Sequence, residues 1–421
     1  MDTWIAAAVF LATYAIIATE RLDRTVAALA GGVAMVVLGI VTQEEALAAV
    51  ELDVILLLAS MMVIAGVLRE TGFFQWVAIR SVHAAGGDPI RLLIVLAFVT
   101  AVLSAFLDNV TTVVLIAPVT LFVAATLGVS PLPFLIAQIL ASNIGGAATL
   151  VGDPPNILIG AATGLDFVDF LVNMAPVAIV VLAASLGWLG WVLRRSVSST
   201  VDVDVALASL DADQVITDVG LLRRSLLVLG LTIVGFLLGG TLGLEPATIA
   251  LTGATVLLLV TSRDIHAALD EVEWPTIAFF VGLFIVVEGI VAAGIVERIA
   301  DGLLQLTGGD PTLTTIGLLW FSGVASAVID NIPYTATMIP VVFELGNAGV
   351  PIEPLWWALA LGACLGGNAT IVGASANVVA SGMAARAGHP ISFRMFVRYG
   401  IPVTLLSLAI SSVYLWMRYL T

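Results

Sequence analysis

Apolar residues run along this chain in unbroken blocks, not in an alternating or one-faced pattern. Blocks of 16 residues or more fall at about 4–19, 25–41, 53–70, 171–193, 224–241, 246–262, 276–292 and 399–417. Each can cross roughly 30 Å of hydrocarbon as a tilted helix. Two further regions, 90–163 and 312–388, are as apolar but are broken by Gly, Pro, Asn and Asp. Residues 194–223, with Asp202, Asp204, Asp211, Asp213 and Asp218, form the one substantial polar stretch and read as an acidic, solvated linker.

The blocks repeat. A shift of 222 lays SAFLDNVTTVVLIAP (104–118) on SAVIDNIPYTATMIP (326–340), identical at 5 of 15 positions. A shift of 221 lays GGAATLVGDPPN (145–156) on GGNATIVGASAN (366–377), identical at 7 of 12. Several matches in one order at a nearly constant offset indicate an internal duplication. The expected organisation is a first repeat at 1–193 (hairpin 90–127, broken helix 131–163), the linker at 194–223, and a second repeat at 224–421 (hairpin 312–346, broken helix 354–388). With re-entrant hairpins, each half crosses the membrane five times, and an odd number inverts the second half. The expected fold class is therefore an all-α polytopic membrane protein built from two inverted five-span repeats.

Composition agrees with a bilayer and excludes the alternatives. The 421 residues are 60% hydrophobic and 11% charged, against about 25% charged in a soluble domain. That rules out a soluble enzyme, a nucleic-acid binder and a disordered regulator. The net charge is −15, and all 15 basic residues are Arg; the absence of Lys hints at a salt-rich or GC-rich host and says nothing of mechanism. With the linker inside, only Arg298 and Arg418 fall outside, a 13-to-2 split matching the cytoplasmic excess of basic residues. Both termini are then extracytoplasmic. The start lacks a basic leader region, so 4–19 reads as a first span. The lone Cys364 cannot form an intrachain disulfide.

Backbone that leaves helical geometry in a bilayer must be buried in protein or line a polar cavity. Asp108-Asn109 and Asp330-Asn331 sit where hairpins would turn, and residues 152–156 and 373–377 interrupt spans. Discontinuous helices in repeated halves point to a midplane site for solute and ions. The candidate lining is Asp108, Asn109, Thr149, Gly152, Asp153, Asn156, Asp330, Asn331, Thr370, Gly373, Ser375 and Asn377. Asp108, Asp153, Asp330 and Glu288 are the candidate proton carriers, because acids within spans are costly and mark ion pathways. Asp153 is the asymmetric acid, since Ala374 stands at its repeat position; it reads equally well as a helix cap. The Gly pairs also read as packing residues, and Glu288 as an interfacial residue. The threonines and asparagines either face the solute or tie down the broken backbone. Asn143, Asn368 and Ser142 share that choice. His83, His266 and His389 fall in expected loops without metal-ligand spacing. Trp356-Trp357 and Trp188/Trp191 suit interfacial belts.

The segments SAFLDNVTTVVLIAP, SNIGGAATLVGDPPNILIG, SAVIDNIPYTATMIP and LGACLGGNATIVGASANVV resemble the ion transporter superfamily, nearest its branch of ArsB-type arsenite permeases and the melanosomal P protein. Citrate transporters and divalent anion:sodium symporters are related. The resemblance spans roughly residues 25–417. It implies re-entrant hairpins and broken helices in each repeat, a dimerising scaffold, an elevator-like transport unit, and a site at the tips and breaks. Sodium-coupled dicarboxylate members carry Ser-Asn-Thr at the tips, where this chain has Asp108-Asn109-Val110 and Asp330-Asn331-Ile332. The extra carboxylates, with no Arg in any of the four motifs, disfavour a dianion.

The leading expectation is a secondary active transporter, a proton-coupled antiporter exporting a small inorganic solute such as arsenite. The alternatives are a Na⁺/H⁺ antiporter, an anion or dicarboxylate permease, and a passive channel. An intramembrane aspartyl protease fits poorly, because Leu150-Val151-Gly152-Asp153 lacks the first Gly of a Gly-x-Gly-Asp motif. No cofactor is expected beyond H⁺ or Na⁺ as coupling ion. No firm metal site is evident, although Na⁺ would suit Asp108/Asn109 and Asp330/Asn331. Expected partners are the lipid bilayer and a second copy in a homodimer, with no nucleic acid. The chain has no Gly-x-x-x-x-Gly-Lys loop, so ATP-driven pumping would need a separate ATPase subunit. The expected location is the plasma membrane.

Overall fold

The structure is a computed structural model that describes residues 2–19, 22–86, 88–194 and 212–421. Among these residues there are helices and turns and no strands. The first half contains α1 (Asp2–Thr19), α2 (Arg24–Val37), α3 (Gln43–Ala48), α4 (Leu52–Glu70), α5 (Phe73–Ala85), α6 (Pro89–Leu107), α7 (Asn109–Thr126), α8 (Leu132–Gly146), α9 (Pro154–Thr163), α10 (Phe167–Asn173) and α11 (Ala175–Leu193). The second contains α12 (Val219–Leu242), α13 (Pro246–Thr261), α14 (Ile265–Leu269), α15 (Trp274–Ala292), α16 (Ile295–Thr307), α17 (Pro311–Ser326), α18 (Asn331–Asn347), α19 (Ile352–Gly366), α20 (Ser375–Arg386) and α21 (Phe393–Tyr419). The order α3 to α9 recurs as α14 to α20.

Caps in the sequence set many of the starts. Asp23 accepts from the Thr25 and Val26 amides to open α2, Asp88 does so for α6 with Pro89 behind it, and Thr42 with Glu45 forms a capping box on α3. Among the described residues, seven helices are long and apolar enough to cross a membrane: α4 with α3 before it, α6, α7, α11, α12, α15 and α21. The block at 25–41 is cut short. Its helix ends at Val37 because Gly39 takes a left-handed φ of 72°, leaving 14 residues, about 21 Å of helix. The block at 171–193 divides at Met174 into α10 and α11.

Three further expectations change. The linker stops short of 223, since Asp218 caps α12 through the Leu221 amide. Ahead of it, the Thr217 amide and hydroxyl donate to the carbonyls of Thr71 and Glu70; residues 195–211, with Asp202, Asp204 and Asp211, and the Asp213 side chain lie outside the described residues. His83 and His266 sit in α5 and α14, not in loops. Trp356 and Trp357 are buried, against Phe343 and Phe170 respectively.

The halves interlock. α2 packs on α15 and α4 on α13, while α7 packs on α20 and α18 on α9. Each hairpin thus lays its second arm on the restarted helix of the other half, which brings both tips and both breaks to one place.

Candidate functional site

Each hairpin turns at an aspartate that caps its second arm. Asp108 accepts from the Thr111 amide at 2.8 Å, and Asp330 from the Ile332 amide at 3.0 Å. The backbone differs: Asp330 has φ −47°, whereas Asp108 has φ 67° and ψ 156°, a region that disfavours any residue with a Cβ. The first residue of each second arm is an asparagine, and both reach the same carboxylate. Asn109 Nδ2 donates to Asp153 Oδ1 at 3.1 Å, and Asn331 Nδ2 lies 3.2 Å from Oδ1 and 3.3 Å from Oδ2. Asp153 is fully buried, and among the described residues no Arg forms an ion pair with it.

The two breaks share one construction. After α8, Asn156 Nδ2 donates to the carbonyls of Thr149 (2.8 Å) and Ala147 (3.3 Å), and Thr149 Oγ1 donates to the Ala105 carbonyl. After α19, Asn377 Nδ2 donates to the carbonyls of Gly367 (2.7 Å) and Thr370 (2.8 Å), and Thr370 Oγ1 to the Ala327 carbonyl at 2.6 Å. Carbonyls freed by stopping a helix are thereby satisfied without water. A Cβ at Gly152 would stand 2.5 Å from the Gly146 oxygen and 2.8 Å from the Ser104 oxygen; at Gly373 it would stand 2.7 Å from the Gly367 oxygen and 2.8 Å from the Ser326 oxygen. Only glycine lets these strands of backbone touch.

A chain of side-chain amides joins the halves. Asn109 Nδ2 also donates to Asn143 Oδ1 (3.0 Å), and Asn143 Nδ2 donates to Asn368 Oδ1 (2.9 Å) and Asn377 Oδ1 (2.8 Å). Cys364 Sγ lies 3.5 Å from Asn156 Oδ1. One acceptor is left over: Asn109 Oδ1 is buried beside Asp153 without a partner.

The sequence candidates thus divide. Asp153, Asn109 and Asn331 converge. Thr149, Thr370, Asn156 and Asn377 are engaged in holding the broken backbone, whereas the Ser142 hydroxyl donates to the Ile139 carbonyl within α8. Asp108 and Asp330 lie one residue from the convergent asparagines but have different partners. Glu288 stands apart, lining a cleft with Glu45 and Glu51. Among the described residues no group of three or more His, Cys, Asp or Glu is placed to hold a metal ion.

One participant comes from outside the four motifs. Arg24, at the start of α2, lies 3.5 Å from Asp330 Oδ2 and donates to Ser375 Oγ, which in turn donates to Asp330 Oδ2 at 2.6 Å. The expectation that no Arg offsets the tip acids is therefore corrected for Asp330. Arg24 sits at the edge of an apolar block. Its only signal was an Arg inside the first turn, behind an Asp cap.

The comparisons with known proteins follow the geometry. A family model described as citrate transporter matches residues 14–362. An uncharacterized transporter of Mycobacterium tuberculosis is 48% identical over 422 residues, covering 99% of this chain and 98% of that protein. The P protein of Homo sapiens is 33% identical over 496 residues, covering 98% of this chain but 59% of that protein. Among solved structures, the Alcanivorax borkumensis YdaH transporter superposes with a TM-score of 0.56 at 19% identity, covering 89% of this chain and 86% of that one, a likeness of fold alone.

Proposed function

The chain belongs to the citrate transporter family of multi-pass secondary transporters, not enzymes, and from that premise we propose that it couples movement of a small solute to protons, with Asp153 as the group that binds and releases the proton. The observation that carries this reading is the convergence of both hairpin tips on one buried carboxylate that has amide donors and no cation. A buried, unpaired carboxylate is costly, and a proton removes that cost. Neutralising it also weakens its hold on Asn109 and Asn331 together, so one proton acts on both tips.

The proposed cycle is alternating access of an elevator type in a homodimer of the plasma membrane. The linker and thirteen of the fifteen arginines lie inside, and both termini outside. The two extra tip carboxylates, with no Arg in any of the four motifs, favour export of a neutral oxyacid such as arsenite over anion transport. Arg24 removes that ground at Asp330, so both solute classes stand under this proposal.

A second reading makes Na⁺ the coupling ion. It is favoured by the buried, unpartnered Asn109 Oδ1, a neutral oxygen on a side chain whose amide nitrogen contacts Asp153. Proteoliposomes with an imposed pH gradient test both. Internal pH is followed on adding arsenite, citrate, succinate or Na⁺. A response to one solute, lost in Asp153→Asn, supports proton coupling. A response that requires Na⁺ and persists without a pH gradient supports the second reading, and flux that neither gradient can drive uphill makes the protein a channel.

A further inference from the structure

A cleft of about 800 Å³ lies where the start of α8, the end of α11 and the start of α21 pack together. Leu132 and Ile136 of α8 and Leu193 of α11 give it an apolar wall, and Arg394 and Arg398 line it from α21, one helical turn apart. No carboxylate lines this cleft. Both arginines are exposed, and among the described residues neither makes an ion pair; the Arg398 guanidinium lies 5.9 Å from the Tyr399 ring. The fold does not require them. FRMFVRYGIPV (393–403) repeats FVDFLVNMAPV (167–177) at a shift of 226, identical at 4 of 11 positions, and the N-caps before them, Ser392 and Asp166, correspond as well. Arg394 then falls on Val168 and Arg398 on Val172, so a helix starts at this place in the repeat without either base.

We propose that this cleft binds an anionic glycerophospholipid, with Arg394 and Arg398 on the phosphate oxygens and an acyl chain along the wall from Leu132 to Ile136. The depth of the groups suits that ligand. α21 has 27 residues, about 40 Å of helix, which exceeds the hydrocarbon of a bilayer by about 10 Å. Arg394 and Arg398 lie in its first two turns, at the level of the headgroups, while Ile136 lies one turn further along α8 than Leu132. The chemistry agrees. A guanidinium matches phosphate oxygens with paired N–H donors, and basic pockets between membrane helices take anionic headgroups. Free phosphate would use the two arginines and leave the apolar wall without a partner. A lipid seated here ties α21 to α8 and α11. Two residues beyond Arg398, Gly400 packs on the Asn368 and Ala369 carbonyls with no room for a Cβ, so steadying the start of α21 also steadies the second break.

Binding is read without transport, so it stands or falls apart from the solute and the coupling ion. Native mass spectrometry of the full chain in detergent, titrated with phosphatidylglycerol or with phosphatidylcholine of the same acyl chains, measures the lipid retained. Phosphatidylglycerol is expected to bind about thirtyfold more tightly, the scale of two arginines near an anionic surface, and to raise the melting temperature. Arg394→Gln with Arg398→Gln should remove that preference and leave the lipid-free melting temperature unchanged. Arg91→Gln with Arg386→Gln removes two exposed arginines outside the cleft and should keep it. Leu132→Trp, with both arginines in place, should weaken retention of phosphatidylglycerol by filling the wall. Equal retention of the two lipids, a preference that survives loss of Arg394 and Arg398, a Leu132→Trp protein that binds as the wild type does, or an equal rise in melting temperature from glycerol phosphate at the same concentration overturns the lipid site. A preference that emerges only after Asp202, Asp204 and Asp211 are replaced by Asn gives the cleft to the linker and overturns it as well.

Discussion

Replacing Asp153 by Asn tests the site where structure and function make different demands. The carboxylate takes three N–H contacts of 3.1, 3.2 and 3.3 Å, one from Asn109 and two from the Asn331 amide nitrogen. Hydrogen bonds to a charged group contribute about 1.5–3 kcal/mol each and neutral ones about 0.5–1.5. In the variant, the amide oxygen can keep the two contacts at the Oδ1 position, while the new NH₂ at the Oδ2 position faces the Asn331 NH₂ and gains nothing. The loss is about 3–6 kcal/mol on this scale. Against it stands the desolvation of a fully buried charge, several kcal/mol that the neutral side chain no longer bears. The two nearly cancel, so thermal unfolding in detergent should shift by no more than the equivalent of about 2 kcal/mol. Transport driven by a pH gradient should nonetheless vanish, because the variant cannot take up a proton. Undiminished proton-driven transport would refute the assignment of Asp153. So would a collapse in stability large enough to explain the lost activity, since Asp153 would then be a structural tie between the two tips; it is not a helix cap, because its side chain makes no capping hydrogen bond to α9.

The ties across the breaks give other outcomes. Asn156→Ala takes the side-chain donor from the buried Thr149 and Ala147 carbonyls and should destabilise by about 2–5 kcal/mol in thermal unfolding, while Asn377→Ala should cost less, about 1–3 kcal/mol, because the Thr370 carbonyl keeps the Gly373 amide and only the Gly367 carbonyl loses its side-chain donor. Gly152→Ala forces apart the Gly146 and Ser104 carbonyls and should cost about 1–3 kcal/mol as overpacking, read by the same melt; an unchanged melting temperature would show that the break can open without strain. Cys364, wholly buried against Asn156, should resist maleimide in the folded protein and react once detergent or heat unfolds it; rapid labelling of the native protein would contradict the packing at the second break.

Much of the fold was legible because a bilayer permits few solutions. The long apolar blocks became helices, and the aspartates and asparagines that interrupt them became tips and breaks, because backbone inside lipid must stop at residues that can cap it. The helices α5 and α16 were missed, since they are shorter than a span and carry too many polar residues to stand out as apolar blocks. Trp356 and Trp357 were misplaced because a tryptophan in an apolar run looks the same whether it meets an interface or a neighbouring helix. Arg24 was missed because proximity to Asp330, 306 positions away, leaves no local trace.

The sequence by itself determined that this is a duplicated, helical membrane protein with paired Asp-Asn tips and paired glycine-bearing breaks, because hydropathy, periodicity and internal repetition are properties of the chain read in order. Only the tertiary structure decided what those residues face. It turned both tip asparagines onto Asp153, committed Thr149, Thr370, Asn156 and Asn377 to the broken backbone, and gave one tip aspartate an arginine that the other lacks. Each of those outcomes depends on how helices from opposite halves interlock, and contact between residues hundreds of positions apart is fixed by packing alone.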